Sequence, residues 1–162
     1  MTTSLPDAGS ITIRQARRED VSRIASLIML GAAKPTMSAA EIEAEAAHPG
    51  YEEAFAAVLA SPDNTLFVAE QAGTVIGTFQ VTLIPGLVAR GRRRAKIESV
   101  HVAPERRAQG IGAVMMRHAV GFAREHGAGL VELTSNKDRI DAHRFYRNLG
   151  FEQSHEGFKL PL

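Results

Sequence analysis

The sequence predicts an α/β (α+β) domain in which helices flank a mixed sheet, and three observations lead there. Apolar residues recur with period two in some stretches and with period about 3.6 in others, the marks of strands and amphipathic helices. Those stretches follow one another as strand, two or three helices, three strands, helix, strand, helix and two strands. The length of 162 residues, with 44% hydrophobic and 23% charged side chains, suits one hydrophobic core better than two.

The elements follow from local signals. Residues 1–10 read as a flexible lead-in. Ile11-Thr12-Ile13-Arg14-Gln15-Ala16 alternates apolar and polar residues as a half-buried strand does. Asp20 is placed to cap a helix carrying Ile24, Leu27, Ile28 and Gly31 at helical spacing. Ser38-Ala39-Ala40-Glu41 has the form of a capping box, and Pro49-Gly50 separates that helix from the next. The next helix gathers Tyr51, Ala54, Phe55, Val58 and Leu59 on an apolar face. Leu66 to Glu70 and Thr74 to Leu83 read as strands joined through Ala72-Gly73, and Pro85-Gly86 ends the second. Lys96 to Val102 is another strand, and Gly110 opens a helix to about Glu125. Leu130 to Thr134 reads as a central strand from its apolar content.

In the last helix Ala142, Phe145, Tyr146 and Leu149 share one face, with Asp138 as its cap and Gly150 as its stop. Short strands around Phe151 to His155 and Phe158 to Leu160 are expected to complete the fold.

Composition narrows the chemistry. Nineteen basic and 18 acidic groups leave a net charge of +1, which gives no overall pull towards nucleic acid or membrane. The absence of Cys removes disulfides, thiolate nucleophiles and iron–sulfur ligation. No apolar run approaches the roughly 18 residues of a membrane span, and the first residues lack the blocks of a signal peptide. A cytoplasmic protein is expected. Six scattered histidines have no metal-ligand spacing, so no metal is expected. Arg90-x-Arg92-Arg93-Arg94 reads as a solvated hairpin or as an attractor of anionic ligand groups, without the aromatics of a nucleic-acid surface.

The chemistry concentrates in Ile97-Glu98-Ser99-Val100-His101-Val102-Ala103-Pro104-Glu105-Arg106-Arg107-Ala108-Gln109-Gly110-Ile111-Gly112. A strand runs into a loop and the loop into a helix, whose first N–H groups and dipole favour a phosphate or pyrophosphate. The pattern is neither a Walker loop nor the dinucleotide fingerprint. Taken alone, glycines before a helix are also simple turn geometry.

Arg107-x-x-Gly110-x-Gly112, after this strand and Pro104, resembles the acyl-CoA loop of the GNAT N-acetyltransferases. Ala142-His-Arg-Phe145-Tyr146-Arg-Asn-Leu149-Gly150-Phe151 resembles a second landmark of the same superfamily, a helix ending in Phe-Tyr-x-x-x-Gly-Phe. The last thirty or so residues are also similar to the C-terminal part of aminoalkylphosphonate N-acetyltransferases. The resemblance implies a mostly antiparallel central sheet, acetyl-CoA as acyl donor and a primary amine as acceptor. It makes residues 11–162 a single N-acetyltransferase domain.

Carried over residue by residue, the resemblance places pantetheine along Val100, His101 and Val102. It places pyrophosphate on Arg107, Ala108, Gln109, Gly110, Ile111 and Gly112. A backbone N–H near Val102 takes an oxyanion-hole role. Glu98 takes the proton of the acceptor ammonium, and Tyr146 gives one to the departing thiolate. The plain readings beside these are sheet core for Val100 and Val102, an ion-paired strand residue for Glu98 and a rim tyrosine for Tyr146. Many members carry Asn seven residues before the tyrosine, where this chain has Arg139. Asn136 either substitutes for it or caps the turn, and His143 faces cofactor or solvent.

The function expected is therefore direct acetyl transfer to a small-molecule amine. A protein or peptide N-acetyltransferase and a non-catalytic acyl-CoA binder are the alternatives. No nucleic-acid or membrane partner is expected, and a homodimer is an expectation of the family alone.

Overall fold

The structure is a computed structural model that describes residues 10–31 and 36–162. Nearly all of the expected lead-in lies outside the described residues. The chain divides into two compact units, one ending at Glu132 and the other starting at Leu133.

In the first unit, the alternation near the N-terminus gives β1 (Thr12–Gln15), followed by a 3-10 turn (Arg18–Asp20). Three helices follow: α1 (Val21–Leu30), α2 (Ala39–Ala46) and α3 (Pro49–Ala60). The capping box of α2 forms as expected. Ser38 Oγ accepts the Glu41 N–H at 3.3 Å, and the Glu41 carboxylate accepts the Ser38 N–H at 2.7 Å. Asp20 departs from expectation. It stands at the N-cap of α1 but makes no capping bond there. Its carboxylate takes the Arg17 N–H at 2.7 Å and the Arg14 guanidinium at 2.7 and 3.0 Å, closing the 3-10 turn instead. Arg14 also reaches Glu70 on the next strand at 2.8 Å.

β2 (Asn64–Gln71) and β3 (Thr74–Ile84) form a hairpin whose turn residues Ala72 and Gly73 both have positive φ, 50° and 75°. That is the backbone a tight two-residue hairpin needs. A short turn, α4 (Val88–Gly91), contains left-handed Ala89 and Arg90 and leads into β4 (Arg93–Val102). The expected basic connector therefore splits, with Arg93 and Arg94 already in the strand. A second 3-10 turn (Pro104–Arg106), α5 (Ile111–Glu125) and β5 (Ala128–Leu133) complete this part.

The strands lie in the order β1-β2-β3-β4-β5, and the pairs β1–β2, β2–β3 and β3–β4 are antiparallel. The sheet is thus mostly antiparallel, as the resemblance implies. β5 stands at an edge and is half exposed, which corrects the expectation of a central strand. Its apolar content reported burial that no outer strand provides.

Each face of the sheet has its own core. On one, Phe67 and Phe79 stack at 5.0 Å, and His118 and Phe122 of α5 meet Phe67 edge-on, each at 5.1 Å. Met115, Met116, Ala119 and Ala123 of α5 are buried. Burial holds the His118 imidazole below its usual pKa, with a smaller opposing pull from Glu125. On the other face, Ala16, Val21, Ile24, Leu27, Phe55, Val68, Val75 and Ala103 form a second cluster under α1 and α3. Leu59, expected on the buried face of α3, is 65% exposed.

The second unit is built around α6 (Ile140–Asn148). Asp138 does not cap it; the Asp138 N–H goes instead to Asn136 Oδ1 at 3.0 Å, and Arg139 stands at the N-cap. Phe145 and Leu149, on the shared face of this helix, are half-buried. The strands expected around Phe151 to His155 and Phe158 to Leu160 do not form. Residues 152–162 are exposed throughout, and Phe158 and Leu160 are 94% and 84% exposed, so the apolar alternation there meets no partner strand.

Candidate functional site

β4 is an uneven strand, and that shapes everything it carries. Thr78 pairs with His101 and Gln80 with Glu98, so Ser99 and Val100 together face the single residue Phe79. This is a β-bulge, with Ser99 in the left-handed region at φ 52°. A bulge adds local twist and re-aims the rest of the strand. Glu98 and His101, three residues apart, therefore face the same side of the sheet.

That side is best read in rows across the strands. Val68, Thr78 and His101 form one row, Leu66, Gln80 and Glu98 the next, and Asn64, Thr82 and Lys96 the third. In the first row Val68 and Thr78 are fully buried. His101 packs against the end of α1, where a Cβ on Gly31 would lie 1.9 Å from the imidazole Nδ1. In the other rows the floor opens and turns polar. Asn64 Oδ1 accepts from Thr82 Oγ1 at 2.7 Å and from Gln80 Nε2 at 3.0 Å, while Asn64 Nδ2 donates to Ser61 Oγ at 2.8 Å. Lys96 Nζ lies 3.0 Å from the Glu98 carboxylate.

Sequence reasoning singled out Glu98 but missed the residues around it. The signal was present as polar side chains two apart, Gln80 with Thr82 and Lys96 with Glu98, inside otherwise apolar strands.

Beyond β4 the chain makes its 3-10 turn and enters α5. Ala108 and Gly110 are left-handed, at φ 58° and 79°. Gly110 is the N-cap of α5, and no side chain caps that helix. Its first N–H groups thus keep the open, positively polarised arrangement that suits an anion. Ile111 and Gly112 open the helix directly after the turn formed by Ala108, Gln109 and Gly110. The side chain of Arg107 points elsewhere. Its Nε donates to the Val102 carbonyl at 3.2 Å and its terminal nitrogen to the Leu30 carbonyl at 3.3 Å, tying the loop to the end of α1. Arg106 donates to Gln71 on the hairpin. Val100 and Val102 are half-buried, short of the fully buried sheet core.

In the second unit the landmark around Tyr146 has a plain structural basis. The Phe151 N–H donates to the Tyr146 carbonyl at 3.1 Å and the Gly150 N–H to the Arg147 carbonyl at 2.9 Å. Gly150 sits at φ 92°, and the Tyr146 and Phe151 rings meet at 6.0 Å. These are the bonds and the apolar contact of a Schellman cap. The Phe-Tyr-x-x-x-Gly-Phe spacing is thus the spacing of that cap, which pins Tyr146 by carbonyl and ring together. Phe145 flanks the tyrosine at 5.2 Å. Burial pushes the Tyr146 phenol above its usual pKa against a smaller lowering by Arg139. Asn136 adopts the turn-capping role. His143 Nε2 lies 2.9 Å from the Asn136 carbonyl and fastens α6 to that turn.

No group of three or more His, Cys, Asp or Glu among the described residues could hold a metal ion. No helix among them is long and apolar enough to cross a membrane.

Residues 33–151 match the acetyltransferase (GNAT) family, and the chain belongs to it. It is 31% identical over 150 residues to the aminoalkylphosphonate N-acetyltransferase of Salmonella typhimurium, covering 93% of this chain and 90% of that one. Over a shorter stretch of 59 residues it is 48% identical to streptothricin acetyltransferase of Streptomyces lavendulae, covering 36% of this chain and 31% of the relative. Among solved structures, a Bacillus halodurans protein described as a transcriptional regulator superposes with a TM-score of 0.86 at 34% identity, over 94% of this chain and all of that one. A predicted acetyltransferase of Clostridium acetobutylicum solved with acetyl-CoA shares the fold, with a TM-score of 0.69 at 22% identity, over 94% of this chain and 96% of that one.

Proposed function

We propose that this acetyltransferase moves an acetyl group from acetyl-CoA to the primary amine of a small-molecule acceptor, with both substrates bound together. The observation that carries the reading is the path from the bulge in β4 through left-handed Ala108 and Gly110 to the uncapped start of α5. It suits a ligand with a pyrophosphate at one end and an amide-bearing arm at the other. Loop amides take the pyrophosphate, and the Val100 to Val102 backbone takes the arm.

An alkyl ammonium, with a pKa near about 10, becomes nucleophilic only on losing a proton. Glu98 receives that proton. The amine nitrogen then bonds to the acetyl carbon, the carbon–sulfur bond breaks, the departing sulfur takes a proton from Tyr146, and the second proton that the nitrogen sheds as the amide forms restores the phenol through solvent. No acyl-enzyme is required, and a chain without Cys has no thiol to form one. The same reading takes residues 11–162 as one catalytic domain, working in the cytoplasm as a homodimer.

The test is turnover of acetyl-CoA against a panel of primary amines. Tyr146→Phe is expected to lower kcat by about 100-fold with little change in CoA binding. Glu98→Gln is expected to cost most near neutral pH, where the acceptor is still protonated; an equal loss at every pH removes its role as base. The name of the Bacillus halodurans relative supports a second reading, a non-catalytic acyl-CoA binder. Saturable CoA binding without turnover of any amine would select it.

A further inference from the structure

The polar floor beside the bulge contains two kinds of group. Its neutral members satisfy one another, because Asn64 holds Gln80, Thr82 and Ser61 in one hydrogen-bonded set. Its charged members, Lys96 and Glu98, are paired with each other at 3.0 Å. They project from the same side of β4, two residues apart, so their backbones are about 7 Å apart while their charged ends touch. Their side chains are 34% and 43% exposed.

A pair this accessible contributes only about 0–1 kcal/mol, so a ligand opens it at little cost. What replaces it depends on the ligand. A simple alkyl ammonium that reaches Glu98 leaves Lys96 without its partner. A molecule carrying an ammonium and an anion a few bonds apart exchanges one ion pair for two. Arg94, the next cation on this side of the strand, pairs with Glu132 at 2.8 Å rather than with Glu98, so Lys96 is the cation set directly beside the Glu98 carboxylate.

We propose that Lys96 and Glu98 form a zwitterion-binding pair: Glu98 takes the acceptor's ammonium and Lys96 its anionic group, a carboxylate or a phosphonate. Lys96 is then the specificity-determining residue for the acceptor. The proposal rests on the acetyl-transfer reading above, and it names the substrate class of that same site.

The experiment compares three acceptors of similar length: 2-aminoethylphosphonate, β-alanine and n-propylamine. For each variant the quantity read is the ratio of kcat/KM for an anionic acceptor to that for n-propylamine. In the unsubstituted protein at least one anionic acceptor is expected to exceed n-propylamine by tenfold or more, mostly through KM. Lys96→Met is expected to bring that ratio down to near one, and Lys96→Arg to restore most of it. A ratio near one in the unsubstituted protein, or a ratio that survives in Lys96→Met, overturns the proposal. The preference between phosphonate and carboxylate shows which anion the site takes.

If no amine is turned over, acetyl transfer itself fails, and calorimetry on the CoA-loaded chain still decides the pair. Binding of 2-aminoethylphosphonate that weakens at least tenfold in Lys96→Met supports the zwitterion site. Equal binding, or no binding to either, overturns it.

Discussion

Gly31 bears no side chain because His101 occupies the space where one would stand. A Cβ there would lie 1.9 Å from the imidazole Nδ1 and 2.5 Å from Cε1, far inside any van der Waals contact. Gly31→Ala is therefore expected to destabilise the protein by about 1–3 kcal/mol, read in urea denaturation. Adding His101→Ala should recover most of that loss. Strict additivity of the two changes would show that the contact is not the cause. None of this was legible in the sequence, where Gly31 reads only as one position of a helical repeat and His101 as a strand residue that the resemblance sets along the pantetheine. They meet because α1 ends over the row of β4 that contains His101. Arg107 teaches the same lesson. Its position beside a phosphate-type loop suggests an anion contact, but its guanidinium is spent on the Val102 and Leu30 carbonyls.

Elements were more legible than single contacts wherever a local rule set them. The α2 capping box, the Ala72-Gly73 turn and the start of α5 at Gly110 follow from residues a few positions apart. The Schellman cap after α6 belongs with these, and it ties a local rule to a proposed catalytic group. Gly150 at φ 92° permits the Phe151 N–H to reach the Tyr146 carbonyl. Gly150→Ala forces a Cβ into that left-handed backbone and is expected to lower stability by about 1 kcal/mol. The altered cap should also shift the near-ultraviolet circular dichroism of Tyr146 and lower kcat. An unchanged spectrum and rate would separate the cap from Tyr146. The bulge in β4 was not legible, since nothing local to Ser99 signals a left-handed strand residue; it shows only when Gln80 and Thr78 fix the register on both sides.

At the scale of the whole molecule, His118 and Asp20 are two groups through which stability responds to acid. Burial depresses the His118 pKa, so the unfolded chain binds that proton first and stability begins to fall as pH drops below the usual 6.5. The Arg14 hydrogen bond, aided by the Arg17 N–H, holds the Asp20 carboxyl below its ordinary 3.8. Its contribution is present above that value and is lost as pH falls through the lower native one. Asp20→Asn is expected to flatten the lower limb of a stability–pH curve and leave the upper limb in place. A lower limb as steep as before would assign the acid sensitivity to other carboxylates. By itself the sequence determined the class of fold, the loop before α5 and the landmark ending in Gly150-Phe151, because each rests on backbone rules that act within a few residues. It could not place β5 at the edge, leave the final segments unpaired, bring His101 onto Gly31, or set Lys96 against Glu98 beside Gln80 and Asn64. Those depend on register and on which helix covers which row, and only the assembled sheet brings residues from distant parts of the chain close enough for charge and volume to decide.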